Sequence, residues 1–454
     1  MVDFVRVPAD AAGKRVTSKL YNDGVNDNYT QVMHIGDRNN PDLHQSVNNR
    51  GEAKVVFDGG SPDFEAFGRT SVSEANLMDM FKFYNHELPE KFHYTEIGTS
   101  TVTHDTVFRG MKLTTGTASG DTAGMYSHRF FHYRPANTMT LIFTMKAGDS
   151  GATNLTRRYG WVEPTDGLYF EMTGTDIFVV NRDGNTVSER KMVRGAWNGD
   201  RLDGSLGDNN LSGATLDPAK NGIWWIDFQY LGAGAVRFGT WVGGQKVVCH
   251  TVSHYGELDR PYMKNGSMCI GFEQENTGIT SVSHEMHIFA AVVMNDGYDE
   301  YDRTPYCISE VIDLSSEVFV PILSFRPTEL HDGEAHRGRL LPSSISALSD
   351  TISIEIRVDI NTALTGATFA STAEHIEYDT AATAGVYTEL AKFGQMIAAG
   401  RSESVNLSES FRIERDGVHR LYNASLSDYI TISARLLSPG SSQVALACNV
   451  IEIE

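Results

Sequence analysis

The chain has 454 residues, which is enough for two or three domains with separate hydrophobic cores. Its formal net charge of −20 would repel nucleic-acid phosphates and anionic lipids, which argues against nucleic-acid binding. Charged residues make up only 21% of the chain, and 42 residues are glycine, a composition typical of turn-rich β structure. No segment is apolar for long enough to be inserted in a membrane, and residues 1–19 have no apolar stretch of signal length, which predicts folding in a cytoplasm.

Residues 1–65 predict an irregular N-terminal arm, because turn-forming clusters of Asn, Asp, Gly and Pro leave little apolar mass between them. Such a segment cannot readily bury a core of its own, so we expect it to become ordered against a neighbouring subunit. The alternative is a flexible tail. The residues that could anchor the arm on a neighbouring subunit are Phe4, Leu20, Tyr21 and Tyr29.

Residues 66–300 predict a large antiparallel β-sandwich, jelly-roll-like in its many short strands. The stretch Ser73–Phe81 predicts one short helix with a serine cap. Short apolar runs bounded by Gly, Asp or Asn then follow without helices between them, which is typical of a sandwich. These runs are Met139–Met145, Leu168–Met172, Asp176–Asn181, Gly222–Leu231, Val236–Val242, Lys246–Thr251, Ser267–Glu273 and His284–Val293.

Alternation divides the Gly222–Leu231 run into two faces. One face is wholly apolar and should lie in the core: Trp224, Ile226, Phe228 and Tyr230. The other is mixed, so we expect Trp225, Asp227 and Gln229 near solvent or a partner. Glu273 and Glu275 are alternate residues and should share a strand face. These five residues are the candidate contacts for a protein interface or a glycan. We expect most of the five tryptophans to be core residues, with one or two exposed as anchors or sugar-stacking platforms.

The acidic, turn-rich stretch at 294–307 predicts a boundary, after which residues 308–454 predict a smaller C-terminal β-sandwich domain. In Thr351–Asp359, the alternate residues Ile352, Ile354, Ile356 and Val358 should face a core. Two final strands are predicted at Tyr429–Leu437 and Ser442–Glu454, whereas Tyr387–Ala399 fits either a helix or a strand. The chain shows no short repeat that would build a fibrous shaft.

Catalytic motifs are weak throughout the chain. Gly148-Asp149-Ser150-Gly151 is similar to the nucleophile loop of serine proteases, but it lacks an upstream histidine in a matching setting. His284-Glu285-Met286-His287 lies in a predicted strand, so its two histidines should point to opposite faces.

The sequence contains three further kinds of candidate site. His331, Asp332, Glu334 and His336 form a loose polar cluster, expected to be a solvated loop. The paired carboxylates Glu273 and Glu275 lack the compact acidic signature of sandwich glucanases. The cysteines Cys249, Cys269, Cys307 and Cys448 are widely spaced, which favours buried free thiols over a zinc site. We therefore expect no enzyme activity, no cofactor and no metal.

Several segments in order resemble a family of structural proteins in the particles of tailed bacteriophages. The resemblance spans roughly residues 66–454. The matching segments are Arg158–Trp161, Asp166–Glu171, Trp197-Asn198, Asp200–Gly204, Leu211–Gly213, Leu216-Asp217, Asp227–Gly232, Arg237–Gly239, Leu364–Ala367 and Glu377–Ala382.

This resemblance implies a virion component made in the host bacterial cytoplasm, with other virion proteins as partners. The lack of a legible long helix argues against a major capsid protein, and the lack of repeats against a fibre shaft. An exterior accessory protein of the tail, baseplate or neck remains, with a capsid decoration protein as the alternative. Analogy with exterior appendages suggests a homo-oligomer, with a trimer as the expected form. A carbohydrate-binding protein that recognises a host surface glycan is the alternative of a different class.

Overall fold

The computed structural model describes residues 17–22, 27–32 and 76–453, except 90, 136, 164–165, 184–189, 206–209, 297–302, 332–333, 372–374, 388–391, 408–417 and 420–427. The chain divides into two units, Met1–Phe64 and Glu65–Glu454. Within the described ranges the only helix is a single 3-10 turn, Arg194–Ala196, so the expected all-β class is confirmed. No helix in those ranges is both long and apolar enough to cross a membrane.

The first unit contains an antiparallel hairpin, in which β1 (Thr17–Asn22) pairs with β2 (Asp27–Val32). Leu20 lies opposite Tyr29 in its register. The expectation of an irregular arm is wrong for these residues, because β-forming Thr, Tyr and Val side chains recur on both sides of a short connection. Of the candidate anchors, Leu20 and Tyr21 lie in β1, Tyr29 lies in β2, and Phe4 lies outside the described residues.

The second unit begins with the strands of the large sandwich. They are β3 (Asn76–Lys82), β4 (Phe92–Ile97), β5 (Thr101–Asp105), β6 (Gly110–Thr115), β7 (Thr122–Ser127), β8 (Met139–Lys146), β9 (Ala152–Val162), β10 (Gly167–Gly174), β11 (Asp176–Arg182), β12 (Arg190–Val193), β13 (Gly222–Phe228), β14 (Val236–Val242), β15 (Gln245–Val252), β16 (Ile270–Asn276) and β17 (His284–Asn295). A seven-stranded sheet has the order β12-β11-β10-β9-β16-β7-β4. An eight-stranded sheet has the order β15-β14-β13-β8-β17-β6-β5, with β3 also paired to β17.

The two sheets pack face to face through aromatic side chains. Tyr159 and Trp161 from the seven-stranded sheet meet Trp224 and Phe228 from the other, with ring centroids 5.6 and 5.9 Å apart respectively. The predicted core face of β13 is confirmed, since Trp224, Ile226 and Phe228 are all buried. Aromatic pairs in this geometry add about 0.5–1.5 kcal/mol each beyond the burial of their area.

The predicted helix at Ser73–Phe81 is wrong, because Asn76–Lys82 is strand β3. Met78 and Phe81 are buried three residues apart, a spacing that also suits a helix. Pairing with β17 satisfies the backbone of this segment instead, and a bulge between Val293 and Met294 shifts the register. A distant strand therefore decides the conformation of a locally ambiguous segment.

The remaining strands of the second unit lie between Arg303 and Ile453. They are β18 (Arg303–Leu314), β19 (Val320–Pro327), β20 (Leu330–His331), β21 (Glu334–Ala335), β22 (Arg339–Ser349), β23 (Ile354–Ile360), β24 (Ala363–Thr365), β25 (Ala370–Ser371), β26 (Ile376–Asp379), β27 (Ala384–Val386), β28 (Phe393–Ile397), β29 (Arg401–Asn406), β30 (Val418–His419), β31 (Ile430–Leu436) and β32 (Ser442–Ile453). One sheet has the order β18-β32-β22-β29, with β30 on β22, and a second has the order β25-β26-β19-β31-β23-β28. β20 with β21 and β24 with β27 form two separate two-stranded sheets.

These strands enclose a second core that includes Ile354, Ile356 and Val358, as predicted. The last strand, β32, lies between β18 and β22, and its bounds agree with the final strand predicted at Ser442–Glu454. The 294–307 boundary is shorter than expected, because β17 continues to Asn295 and β18 starts at Arg303. Both cores belong to one compact unit, so the division into 66–300 and 308–454 stays a prediction.

Candidate functional site

The first candidate site is a row of charges on the outer face of the seven-stranded sheet. In the registers of β10, β9 and β16, Arg158 lies directly between Glu171 and Glu273. Its guanidinium donates to Glu171 Oε2 at 3.1 Å, to Glu275 Oε2 at 3.0 Å and to Glu273. The predicted common face of Glu273 and Glu275 is therefore confirmed, and the structure adds the arginine that holds both.

The neighbours of this row satisfy its remaining groups. Lys191 Nζ lies 2.8 Å from Glu171 Oε1, and Tyr126 donates to Glu273. Burial by itself would lower the pKa of Arg158, but the charges of Glu273 and Glu171 raise it above its usual value. A retaining or inverting glycosidase needs one carboxylic acid to protonate the leaving group and a second carboxylate nearby. Here one guanidinium ties Glu273 and Glu275 together, an arrangement that suits a structural ion cluster.

The second candidate site surrounds Trp225 on the outer face of the eight-stranded sheet. The expectation that Trp225, Asp227 and Gln229 lie near solvent is wrong, because all three are buried. Asp227 accepts a bidentate pair of hydrogen bonds from Arg237, at 2.9 and 2.6 Å. Lys246 Nζ lies 4.4 Å from the centre of the Trp225 ring and covers it. Neighbouring cationic side chains therefore cover the mixed face of β13.

The Trp225 ring lies against the backbone of Gly239 on β14. A Cβ atom at residue 239 would lie 2.3 Å from ring atoms of Trp225 and 2.2 Å from the Val247 carbonyl. This close approach requires glycine, since both contacts are well inside van der Waals range.

One row of residues on the same outer face is apolar. Register places Trp225, Ile142, Val292 and Met80 in one row across β13, β8, β17 and β3. Ile142 and Val292 are half-buried, whereas Met80 is 40% exposed. Leu77 on β3 and Ile223 on β13 are 45% and 43% exposed. We call Leu77, Met80, Ile142, Ile223 and Val292 the apolar strip.

Most of the tryptophans are core residues, as predicted. Trp161, Trp197, Trp224 and Trp225 are buried, and Trp241 is half-buried with its ring centroid 6.4 Å from that of Trp225.

Among the cysteines, Cys249, Cys269 and Cys448 are buried free thiols as expected, whereas Cys307 is exposed. Burial raises the pKa of the Cys249 thiol.

The protease-like motif is a turn that binds an arginine. Asp149 accepts hydrogen bonds from Arg157 Nη1 and Nη2 at 2.8 and 2.7 Å, and from the Gly151 N–H at 2.8 Å. His284 Nδ1 lies 3.0 Å from Asp149 Oδ2, whereas His287 Nε2 lies 3.3 Å from Asp105 Oδ2. The two histidines of the His284–His287 motif thus contact different aspartates, which agrees with their predicted separation.

The predicted polar loop at 331–336 is wrong for His336, which is buried. Asp332 lies outside the described residues, as do the side chains of His331 and Glu334. His336 contacts Glu452, and Glu452 also contacts His375. Glu452 is 116 positions from His336 and 77 from His375, so no local pattern could have joined them.

Comparison with known proteins finds no matching family model and no matching curated protein. Among solved structures, the carbohydrate recognition domain of Emp47p is 12% identical, with 49% of this chain and 98% of that chain covered and a TM-score of 0.32. A glycosyl hydrolase family 16 protein from Mycobacterium smegmatis is 12% identical, with 48% and 100% covered and a TM-score of 0.34. A Shewanella oneidensis protein of unknown function is 10% identical, with 50% and 89% covered and a TM-score of 0.33. These low scores support no argument about function.

Proposed function

We propose that this chain is a structural component of a bacteriophage particle, an exterior accessory protein of the tail, baseplate or neck that acts by protein–protein assembly. The apolar strip is the observation that carries the assembly part of the proposal. The phage part depends on the resemblance of the segments between Arg158 and Ala382 to virion proteins.

The apolar strip suits a protein partner because three of its residues, Ile142, Val292 and Met80, lie side by side on adjacent strands. Contiguous exposed apolar surface on a soluble protein commonly marks an interaction site. Full burial of a Leu, Ile or Met side chain contributes roughly 1.5–3 kcal/mol. Leu77, Met80 and Ile223 each keep between 40 and 45% exposure, so covering them contributes about 1 kcal/mol each.

The charged groups support assembly over catalysis. Asp149, Asp227 and Glu273 each bind an arginine, and a base that must accept a proton needs a group positioned for that transfer. We infer that the chain is not an enzyme. The oligomeric state, with a trimer as the expected form, belongs to the same proposal.

Carbohydrate binding to a host surface glycan remains the second candidate, and a capsid decoration role the third. Sugar stacking needs an exposed aromatic face, and Trp225 does not offer one because Lys246 covers its ring. The partly exposed Glu273 and Glu275 are the acceptors that a glycan would use.

The test replaces Leu77 and Met80 together by serine in the full chain. Losing about 2 kcal/mol of contact should weaken incorporation into particles by about 30-fold. Incorporation is measured by mass spectrometry of purified particles after complementation. Val318→Ser is the matched control, since Val318 is 72% exposed and lies outside the strip. Normal incorporation of a folded double variant would reject assembly through this face. Immunogold labelling of particles then separates tail, neck and head positions, and a glycan array tests the second candidate.

A further inference from the structure

His336, His375 and Glu452 meet at one point of the C-terminal β-sheets, although they come from three separate segments. Glu452 belongs to the end of β32, His375 immediately precedes β26, and His336 follows β21. His336 Nε2 lies 2.6 Å from Glu452 Oε1, and His375 Nδ1 lies 3.0 Å from Glu452 Oε2. The three ligand atoms all lie within 4.8 Å of one another.

The surroundings hold this cluster in place. The Glu452 side chain is fully buried, and Tyr306 donates a hydrogen bond to its Oε2 at 3.1 Å. The His336 N–H donates to the Glu329 carbonyl, and the Thr328 N–H donates to the His375 carbonyl. A Cβ at Gly338 would lie 2.6 Å from both Glu452 Oε1 and His336 Nε2, so glycine permits this approach. The cluster is thus built by backbone contacts as well as side chains.

Polar groups lie within hydrogen-bond distance of both nitrogens of the His336 ring. Thr328 Oγ1 lies 3.1 Å from the Leu330 carbonyl, which can only accept, and 3.1 Å from His336 Nδ1. Thr328 Oγ1 can therefore accept a hydrogen bond from His336 Nδ1 while it donates to Leu330. With Nδ1 as the donor, Nε2 presents a lone pair toward Glu452 Oε1, which lies 2.6 Å away. A metal ion bound by Nε2 and the carboxylate suits this arrangement, because both atoms offer it a lone pair.

We propose that His336, His375 and Glu452 bind a divalent first-row transition-metal ion, with zinc as the best match. Two imidazole nitrogens and one carboxylate form a common three-ligand set, with a fourth position left for water. Zinc at about 2.0–2.1 Å from tetrahedral ligands separates the ligand atoms by about 3.4 Å, so each histidine nitrogen moves away from Glu452 by less than about 1 Å while the widest separation of 4.8 Å closes by about 1.4 Å. A ligating histidine whose other ring nitrogen donates to a neighbouring acceptor is the usual outer-shell arrangement, and Thr328 supplies it here.

The ion would tie the last strand to two loops. Glu452 lies in β32, which pairs with both β18 and β22, whereas the two histidines lie on connections outside those ladders. The inferred role is structural: the metal joins the end of the chain to the segments around His336 and His375.

The experiment uses the untagged full chain, stripped with EDTA and then titrated with zinc against a chromophoric chelator. We expect one tight site per chain, and a rise of at least about 2 °C in the midpoint of thermal unfolding on zinc loading. His375→Ala should weaken this site at least tenfold, and Thr328→Val should weaken it about 10- to 100-fold by removing the acceptor of His336. His287→Gln is the control, because His287 contacts Asp105 instead.

Cobalt supplies a readout that does not depend on a variant folding. Co²⁺ in a four-coordinate site gives intense visible absorption, which wild-type protein should show at one equivalent. If wild-type protein binds zinc no more tightly than His375→Ala, or if its cobalt spectrum is that of the hydrated ion, the proposal is wrong. Neither result bears on the apolar strip, so this inference and the assembly proposal fail separately.

Discussion

Replacing Asp149 by asparagine tests whether the Gly148–Gly151 motif is structural. In the folded chain, burial opposes ionisation of the Asp149 carboxyl, but the hydrogen bonds and charge of Arg157, followed by those of His284 and Gly151, lower its pKa to about 2. The usual value is 3.8, so the stabilisation is fully present above pH 3.8 and is lost as the pH falls through about 2.

The size of the effect follows from this shift. Lowering the pKa from 3.8 to about 2 corresponds to roughly 2.4 kcal/mol, at about 1.4 kcal/mol per pKa unit. Solvent screens part of this, because the Asp149 side chain is 33% exposed. Asparagine also leaves the charge of Arg157, a side chain only 1% exposed, without its carboxylate. We therefore expect Asp149→Asn to reduce the free energy of unfolding by about 2 kcal/mol at pH 7.

Urea unfolding followed by tryptophan fluorescence measures this difference at pH 7, 5 and 3. The difference in the free energy of unfolding between wild type and Asp149→Asn should stay constant from pH 7 to 5 and become smaller at pH 3. Asp176→Asn, at the exposed first residue of β11, is the control for removing a surface carboxylate. Ser150→Ala should have the stability of wild type. Equal stability of Asp149→Asn and wild type at pH 7 would refute the ion-pair argument, as would a gap that does not change with pH.

Two further predictions concern packing and the arm. Gly239→Ala should lower the free energy of unfolding by about 2 kcal/mol, because the added Cβ would press on the Trp225 ring and the Val247 carbonyl, an overpacking cost typically of 1–3 kcal/mol. Urea unfolding checks it, with Gly243→Ala as the control for a positive-φ turn glycine that has open space around its Cβ; equal losses in both would contradict the overpacking argument. Deletion of residues 1–65 should reduce oligomer formation and particle incorporation while the β-sheets of residues 76–453 stay folded. Analytical ultracentrifugation and circular dichroism check this together, and normal assembly of the truncated chain would contradict a role for the arm.

Local chain geometry determined much of what the sequence predicts correctly. Successive side chains of a strand point to opposite faces, so Trp224 and Ile226 had to face one way, and Glu273 and Glu275 had to share a face. These predictions need no knowledge of the neighbouring strands. The same holds for the alternating isoleucines of β23, which lie in the second core.

Tertiary structure decided which faces are covered and by what. Trp225 is buried because Lys246 and Gly239 come from the next two strands of its sheet, and β3 is a strand because β17 supplies its backbone partners. Alternation specifies two faces but not the neighbours of each face, which depend on sheet order. The cluster of His336, His375 and Glu452 shows the same limit, since its members are joined only when β32, β26 and the loop after β21 come together in space.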